Sequence, residues 1–557
     1  MVSRQLMTSI LFLAAATSLQ AQSPVLIEVD AAGVRKSFAP AWAYFGYDEP
    51  NYTYTANGQK LLGELAALSS APVYIRAHNL LTTGDGQYAL KWGSTNAYRE
   101  DAAGRPIYDW TILDRIFDTY METGVKPLVE IGFMPEALST KPQPYRHTFP
   151  QGPIWTGWAY PPKDYEKWAE LVHQWVRRCI ARYGQTEVRS WYWEVWNEPD
   201  IGYWQGTPEE YHKLYDYAAE AVKRALPEAR VGGPHSTGPA EPKAAEFLRR
   251  FLEHCARGTN YATGRTGSPL DFVAFHAKGS PKVVGGHVRM GSSRQLQSIA
   301  KGFEIVASFP EFRHLPVILG ESDPEGCAAC SARVHPQNAY RNGTLYPSYT
   351  AAIYEKTLAL AERHQIRLQG AVTWAFEFED QPYFDGFRSL ATNGIDKPVL
   401  NIFRMFGLMK GERIPTTSSQ SARLDEILKA GVAGAPDIGA MATRSERTVS
   451  VLVWNYHDDD VPAPAAEIDL GIQGLPLDLE RVLVHHYRID QTHSNAYTAW
   501  QQMGAPQDPS AQQYARLVAA GQLRMLTSPA WLSVENGKVR IQFSLPRQGT
   551  SLVQLSW

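Results

Sequence analysis

The chain has 557 residues, of which 44% are hydrophobic and 20% charged, and its formal net charge is −3. This is the composition of a globular protein long enough to form more than one domain. Because the net charge is small and no basic run occurs, neither nucleic acid nor an acidic lipid surface is an expected partner.

The first 21 residues have the pattern of a secretory signal peptide. Arg4 supplies a positive charge, residues 10–16 are apolar, and residues 19–21 end in a small residue suited to cleavage. The apolar part is too short to anchor a protein in a bilayer, and no other stretch reaches the roughly 18 apolar residues that a span needs. We therefore predict an exported protein, periplasmic or extracellular, without a membrane anchor.

The segment 22–37 contains the strand-like sequence "PVLIEVDAAG", which we expect to join a β-rich domain formed later in the chain. Residues 38–410 then alternate apolar runs with helical patterns. Eight such runs occur, at 42–48, 73–79, 126–133, 190–199, 229–236, 271–279, 316–323 and 370–378. Continuously apolar runs are typical of parallel strands covered by helices. The pattern predicts an α/β fold, a (β/α)8 TIM barrel; an open doubly wound sheet is the alternative.

The intervening helices have recognisable start and stop signals. Within 164–184, apolar side chains recur at three- and four-residue steps until Gly184 ends the pattern. Thr207, Pro208 and Glu210 form the sequence of a capping box at the start of the next helix. From residue 411 to 557, short strand patterns separated by Pro, Gly and Asp predict a β-sandwich appended to the barrel.

The four cysteines are too few for a disulfide scaffold. Cys327 and Cys330 are either a local disulfide, free thiols or half of a zinc site with His335 nearby. A second pair of ligands at zinc spacing is missing, which favours the first two interpretations.

Two glutamates end predicted barrel strands. Glu198 closes the fourth run, "SWYWEVWNEP", and Glu321 lies at the end of the seventh, "PVILGESD". The carboxyl ends of barrel strands face the active site, so these side chains should converge at the barrel mouth. Either glutamate alone would fit an ion pair at the rim, but a pair of carboxylates is what glycosidic bond cleavage requires.

The motifs around these glutamates resemble glycoside hydrolase family 39 of clan A, and in particular its β-xylosidases. The resemblance runs from about residue 38 to 504 through "YIRAHNLL", "KPLVEIGFMPEAL", "WEVWNEPD", "DFVAFHAKG", "VILGESD" and "YRIDQTHSNAYTAWQQMG". It implies Glu198 as the general acid/base, Glu321 as the nucleophile, and Asn197 as a hydrogen-bonding partner of the sugar 2-hydroxyl. No cofactor is implied.

Other polar and aromatic residues follow strand ends. His78, His235 and His276 close the second, fifth and sixth runs, and we expect them to bind sugar hydroxyls; a metal site is the alternative, which we do not favour. Trp374 in the eighth run is expected to form the pocket floor. The resemblance also assigns Glu379 to binding of the glycone hydroxyls, although its spacing from Trp374 is shorter than in xylosidases.

Lys278 bears on the choice of sugar. A lysine at this position resembles the iduronidases of the family, where it meets the carboxylate of the sugar, whereas the xylosidases have an aromatic residue. A buried ammonium must be paired, and Glu379 is the partner we expect within this chain. We therefore place xylose first, L-arabinose second and a uronic acid third.

The leading hypothesis is a retaining exo-glycosidase that releases xylose from xylo-oligosaccharides through a covalent glycosyl-enzyme. An α-L-arabinosidase or an iduronidase-like uronidase on the same fold are the closest alternatives. A catalytically inert glycan-binding protein and a metal-dependent hydrolase belong to other classes. The oligomeric state stays open.

Overall fold

The computed structural model describes residues 23–149, 152–155 and 157–557; the predicted signal peptide lies outside these ranges. Eight parallel strands form one sheet in which each strand pairs with the next along the chain. Their bounds are Tyr44–Tyr47, Tyr74–Ala77, Lys126–Ile131, Tyr192–Val195, Arg230–Ser236, Phe272–Lys278, Pro316–Asp323 and Arg367–Ala371. The main helices that follow these strands are Ala56–Ala66, Thr111–Thr123, Tyr165–Tyr183, Pro208–Ala225, Pro242–Arg257, Ser292–Ala307, Leu345–His364 and Pro398–Leu408.

The sheet closes on itself between its first and last strands. The backbone N–H of Gly46 donates to the carbonyl of Thr373 at 3.0 Å, and the N–H of Thr373 donates to Tyr44 at 2.9 Å. This closure confirms the (β/α)8 barrel and excludes the open sheet. The eighth strand begins earlier than predicted, since Arg367 pairs with Pro316 of the seventh strand. The strand begins with polar Arg367, so its first residues do not form a continuous apolar run.

The fourth strand is buried along its whole length, as its sequence suggests. Trp191, Trp193 and Trp196 are all fully enclosed. The helix Tyr165–Tyr183 ends immediately before Gly184, as predicted. The next helix, Pro208–Ala225, begins with the predicted capping box, in which Thr207 and Glu210 exchange side-chain to backbone hydrogen bonds.

A β-rich region packs beside the barrel as two sheets. One sheet has the order Thr416–Ser418, Val25–Asp30, Ala466–Gln473 and Val539–Leu545. The other has the order Lys36–Ser37, Glu412–Ile414, Asp437–Arg444, Thr448–Tyr456, Thr550–Ser556, Arg481–Ile489 and Arg524–Met525, and Ala530–Ser533 also pairs with Arg481–Ile489. Apolar side chains that include Ile27, Val451 and Leu470 form one core.

Two helices of this region, Ala496–Gln502 and Ala511–Gly521, reach the barrel. Trp500 and Leu517 pack against Phe384 and Ile395, which belong to the segment after the eighth strand. The shorter elements are the strands Tyr98–Glu100, Pro106–Tyr108, Arg146–Phe149, Gly152–Trp155, Lys282–Val284, His287–Arg289, Ala391–Thr392 and Ile395–Asp396 and the helices Pro50–Tyr54, Glu136–Leu138, Gln185–Val188, Pro336–Asn342 and Leu424–Ala430. Among the described residues, no helix has the length and apolar character needed to cross a membrane.

Candidate active site

Glu198 is presented by a sharp turn after the fourth strand. Trp196 and Glu198 have positive φ angles of 73° and 43°, a conformation that costs non-glycine residues energy and recurs at functional sites. The N–H of Glu198 donates to the carbonyl of His235 at 3.0 Å, which joins this turn to the end of the fifth strand. The turn places the carboxyl group of Glu198 at the mouth of the barrel.

Glu321 meets Glu198 there. One side-chain atom from each of Glu198, His276 and Glu321 lies within 4.8 Å of the other two, so the two carboxyl groups approach to that distance or less. Gly320 makes room for this grouping. A Cβ at position 320 would lie 2.0 Å from Nδ1 of His235 and 3.0 Å from Cδ2 of His276, so a larger residue would collide with these rings.

The two carboxyl groups have opposite pKa shifts. Burial, reinforced by the charge of Glu321, raises the pKa of Glu198 to about 7. Burial also acts to raise the pKa of Glu321, but the cations led by Lys278 outweigh it and hold that pKa well below its ordinary value. At neutral pH, Glu321 is therefore ionised while Glu198 retains much of its proton, the division of roles needed by a nucleophile and a general acid.

Arg76, in the second strand, organises the base of the site. Its guanidinium donates to Oε1 of Glu194 at 2.6 Å, to Oε1 of Glu321 at 3.2 Å and to Oδ1 of Asn197 at 3.1 Å. It also lies 2.9 Å from Oε2 of Glu130. Because Oδ1 of Asn197 is occupied by Arg76, the amide Nδ2 of Asn197 is the group that can donate to a sugar.

Two predicted sugar contacts lie deeper than expected. His235 is fully buried, and its Nε2 contacts Oε2 of Glu194, so it supports the base of the site from below. Burial lowers the pKa of His235 to about 4, so the ring is neutral. His276 is also fully buried, and its Nδ1 lies 2.9 Å from Oε1 of Glu198. Burial lowers the pKa of His276 well below its usual range, which keeps the ring neutral. In this structure both imidazoles contact carboxyl groups of the site.

His78 and Trp374 pack together near the catalytic carboxyl groups, with their ring centroids 4.2 Å apart. Burial lowers the pKa of His78, so the ring is neutral. Nδ1 of His78 then donates to Oδ1 of Asp48 at 2.8 Å, while Nε2 accepts from Arg76 at 3.0 Å. Nε1 of Trp374 also points to Asp48, with its nitrogen 3.4 Å from Oδ2.

Lys278 has different partners from the one predicted. Its ammonium contacts Oε2 of Glu321 and lies 2.6 Å from Oδ2 of Asp323. The expected pairing with Glu379 is wrong, because Glu379 is half-buried and accepts instead from Nδ2 of Asn57 at 3.0 Å. Lys278 and Asp323 pair across neighbouring strands in register, a relationship that only the sheet topology reveals.

The segment after Glu321 is held by buried ion pairs. Arg388 contacts Glu325 at 2.6 Å and Asp323 at 3.5 Å, and Arg341 contacts Glu325 at 2.8 Å. Cys327 and Cys330 form a disulfide with their Cα atoms 5.5 Å apart, which removes the zinc alternative for this pair. Cys179 and Cys255 are buried free thiols.

Among the described residues, Glu198, His276 and Glu321 are near enough to hold a metal ion between them. Their surroundings disfavour one, since Glu321 already contacts Lys278 and Arg76. A further cation would meet electrostatic repulsion from both of these side chains.

Sequence reasoning did not identify Arg76, Asp48 or Lys91, whose ammonium lies 3.0 Å from Oδ2 of Asp48. Arg76 had a signal: it is a charged residue within a buried strand and two positions before His78, so both side chains face the barrel interior. Asp48 likewise closes the first apolar run. Lys91 lies in a polar connection without periodicity and carried no signal.

A closed (β/α)8 barrel whose mouth holds two adjacent carboxyl groups of opposite pKa shift defines the class of glycoside hydrolases. The comparisons agree with this class. The family model "Glycosyl hydrolases family 39" matches residues 25–536. The chain belongs to this family.

Relatives of two activities are similar to the chain. A β-xylosidase of Geobacillus stearothermophilus is 27% identical over 497 residues, covering 86% of each chain. An α-L-iduronidase of Mus musculus is also 27% identical, over 91% of this chain and 77% of its own length. The crystal structure of a GH39 enzyme from Xanthomonas axonopodis pv. citri superposes with a TM-score of 0.74 at 22% identity, covering 98% of this chain and 99% of that one.

Proposed function

We propose that this glycoside hydrolase is a retaining, exo-acting β-xylosidase that releases xylose from the non-reducing ends of xylo-oligosaccharides. The observation that carries the proposal is that one carboxyl oxygen of Glu198 lies within 4.8 Å of one carboxyl oxygen of Glu321. Retaining enzymes hold their carboxyl groups about 5–5.5 Å apart, whereas inverting enzymes need about 6.5–9.5 Å to admit a water molecule between them.

The reaction proceeds in two displacements. The carboxylate of Glu321 attacks the anomeric carbon while Glu198 gives its proton to the glycosidic oxygen, and the leaving alcohol departs. Glu198, now a carboxylate, removes a proton from a water molecule that attacks the same carbon. The bond to Glu321 breaks, the sugar leaves with its original configuration, and Glu198 is protonated again.

The neighbouring side chains support these steps. Arg76 holds the carbonyl oxygen of Asn197, which leaves the amide group to donate to the 2-hydroxyl as the transition state forms. Lys278 keeps Glu321 ionised. His78 and Trp374, whose ring centroids lie 4.2 Å apart beside the catalytic carboxyl groups, would then close the site behind the terminal sugar of a chain.

The charges around Lys278 favour a neutral pentose over a uronic acid. The ammonium of Lys278 already contacts Glu321 and Asp323. A uronate would bring a third negative charge to a cation that two carboxylates already neutralise. Arabinose in its pyranose form has the size of xylose and is the second candidate. An iduronidase-like activity is the third candidate, because one of the similar proteins is the α-L-iduronidase of Mus musculus.

A panel of aryl glycosides tests the proposal: xyloside, arabinopyranoside, arabinofuranoside, glucuronide and iduronide. We expect the xyloside to be hydrolysed fastest, and Glu321→Ala to abolish its hydrolysis. Glu304→Ala, which changes an exposed helical glutamate paired with Lys301, is the matched control and should retain wild-type activity.

Unchanged xyloside hydrolysis in Glu321→Ala would overturn the mechanism, and fast turnover of a uronide alone would overturn the choice of sugar. An inert glycan-binding protein would bind xylo-oligosaccharides without hydrolysing any member of the panel. Loss of activity on treatment with a chelator would indicate a metal-dependent hydrolase.

We also propose that the protein is exported, to the periplasm or the medium. The disulfide between Cys327 and Cys330 supports this location, since such bonds persist in oxidising compartments. Detection of a mature N-terminus near Gln22 in protein recovered outside the cytoplasm would test it, and an intact Met1 in an active cytoplasmic protein would contradict it.

A further inference from the structure

Lys91 is held in an unusual position by two acidic side chains. Its ammonium donates to Oδ2 of Asp48 at 3.0 Å, and its backbone N–H donates to Oε1 of Glu49 at 2.6 Å. Its φ angle is 59°, in the left-handed region that disfavours residues with a side chain. A conformation of this kind persists only where the surroundings determine it, and it is concentrated at ligand-binding sites.

The pair formed by Asp48 and Lys91 adjoins the candidate active site. Asp48 accepts from Nδ1 of His78, and Nε2 of the same imidazole lies 3.6 Å from Oε1 of Glu321. The imidazole of His78 therefore lies between Asp48 and the nucleophile Glu321. The charge of Lys91 is among those that oppose the burial-driven rise in the pKa of Glu198. The charge of Glu321 is in turn among those that raise the pKa of Lys91, so the ammonium is electrostatically coupled to both catalytic carboxyl groups.

Stability alone is a poor reason for this pair. Lys91 is 6% exposed and Asp48 3%, and the cost of desolvating two charges offsets most of their attraction. The described contact of the ammonium with Asp48 uses one of its three N–H donors, and each carboxylate oxygen accepts more than one hydrogen bond. The pair thus presents a donor beside an acceptor, which matches two neighbouring hydroxyl groups of a sugar.

We propose that Asp48 and Lys91 bind the hydroxyl groups at C3 and C4 of the glycone and so select the sugar by its configuration there. The proposal rests on the proposed function, in which Glu321 meets C1 and Asn197 the 2-hydroxyl. A ring oriented by these two contacts extends its remaining hydroxyl groups away from Glu321, past His78 and toward Asp48. The direct partner of the substrate on this side is the ammonium of Lys91.

The test compares the aryl glycoside that the wild type hydrolyses fastest with its 3-deoxy and 4-deoxy counterparts. In the wild type, we expect removal of either hydroxyl to lower kcat/KM by about 10- to 100-fold, because a hydrogen bond to a charged group is lost. Lys91→Met should lower kcat/KM for the parent glycoside by a similar factor. In Lys91→Met, removing at least one of the two hydroxyl groups should lower kcat/KM by less than about 3-fold, because the donor that binds this hydroxyl is already absent.

A matched control separates recognition from a general effect of removing a lysine that is paired with a carboxylate. Lys126, at the start of the third strand, lies 2.7 Å from Oε1 of Glu187, at the barrel end opposite the candidate active site. Lys126→Met should retain the full wild-type penalty for each deoxy analogue. If Lys91→Met does not fold, Lys91→Gln keeps a donor without the charge and should show a smaller penalty than the wild type.

Two results would overturn the inference while leaving the proposed function intact: a wild type indifferent to both deoxygenations, or wild-type penalties retained in the folded Lys91 variant. A wild type that hydrolyses no glycoside of the panel would overturn the proposed function, and this inference with it.

Discussion

The ammonium of Lys278 contacts the carboxylate of Glu321, and the same ammonium lies 2.6 Å from Oδ2 of Asp323. Lys278 lies in the sixth strand of the barrel, and Glu321 and Asp323 both lie in the neighbouring seventh strand. The contact explains how a buried carboxylate stays ionised beside another carboxyl group. It also couples the charge of the nucleophile to a residue outside the reacting pair.

Replacing Lys278 should move the acidic limb of the pH–rate profile. Glu321 must be deprotonated to attack, so its contribution is present above its pKa and is lost as the pH falls through it. Lys278 is the leading cause of the lowered pKa of Glu321. Lys278→Met should therefore shift the acidic limb of kcat/KM to higher pH, whereas Lys278→Arg should shift it less. Superimposable acidic limbs for the wild type and Lys278→Met would contradict this role.

The basic limb should report Glu198. The general acid must be protonated, so its contribution is present below its pKa of about 7 and is lost as the pH rises through that value. We expect kcat/KM for a glycoside with a poor leaving group to fall above about pH 7, with an apparent pKa that belongs to the coupled pair. Glu198→Gln should lack this limb. If the basic limb persists in Glu198→Gln, the titration of another group causes it.

Loss of the acid should depend on the leaving group. Glu198→Ala should hydrolyse xylo-oligosaccharides about 10²- to 10⁴-fold more slowly than the wild type, since their alcohols need protonation to depart. Formation of the glycosyl-enzyme from a dinitrophenyl xyloside should be affected far less. Azide should restore turnover of this activated substrate and yield a glycosyl azide of retained configuration. A loss that is equal for both substrates, without azide rescue, would argue against the assignment.

Buried ion pairs should stabilise the segment after Glu321 more than its disulfide does. Arg388 is fully buried between Asp323 and Glu325, and removing one partner from a buried ion pair typically costs about 3–5 kcal/mol. Asp323 and Glu325 would keep their contacts with Lys278 and Arg341, so we expect the lower end of this range. The Cys327–Cys330 bridge closes a very short loop, for which we expect about 2 kcal/mol or less. Arg388→Met should therefore lower the Tm more than a Cys327→Ser/Cys330→Ser double variant. The reverse order would contradict this view of the segment.

Much of the fold could be predicted because most barrel strands are rich in apolar residues that do not alternate with polar ones. The runs around Trp193 and Leu319 indicated strands, and the polar residues that end them, Glu198 and Glu321, indicated the mouth. Since every strand of a parallel barrel ends at the same rim, strand order alone was enough to bring two distant glutamates together.

The pairing of charged side chains could not be predicted in the same way. Lys278 was expected to pair with Glu379 but pairs with Glu321 and Asp323, because register between neighbouring strands, rather than distance along the chain, decides its partners. His235 closes a strand as expected but turns toward Glu194, beneath the site. Lys91 reaches Asp48 from an irregular connection, where neither apolar periodicity nor a strand end marks the position.

The most direct test of the mechanism is the configuration of the first sugar released. Hydrolysis of an aryl β-xyloside by the wild type can be followed by ¹H NMR before the anomers equilibrate. The approach of Glu198 and Glu321 to within 4.8 Å predicts that β-xylose appears first and the α-anomer only later, by mutarotation. Initial release of α-xylose would mean inversion, and would contradict a covalent intermediate on Glu321.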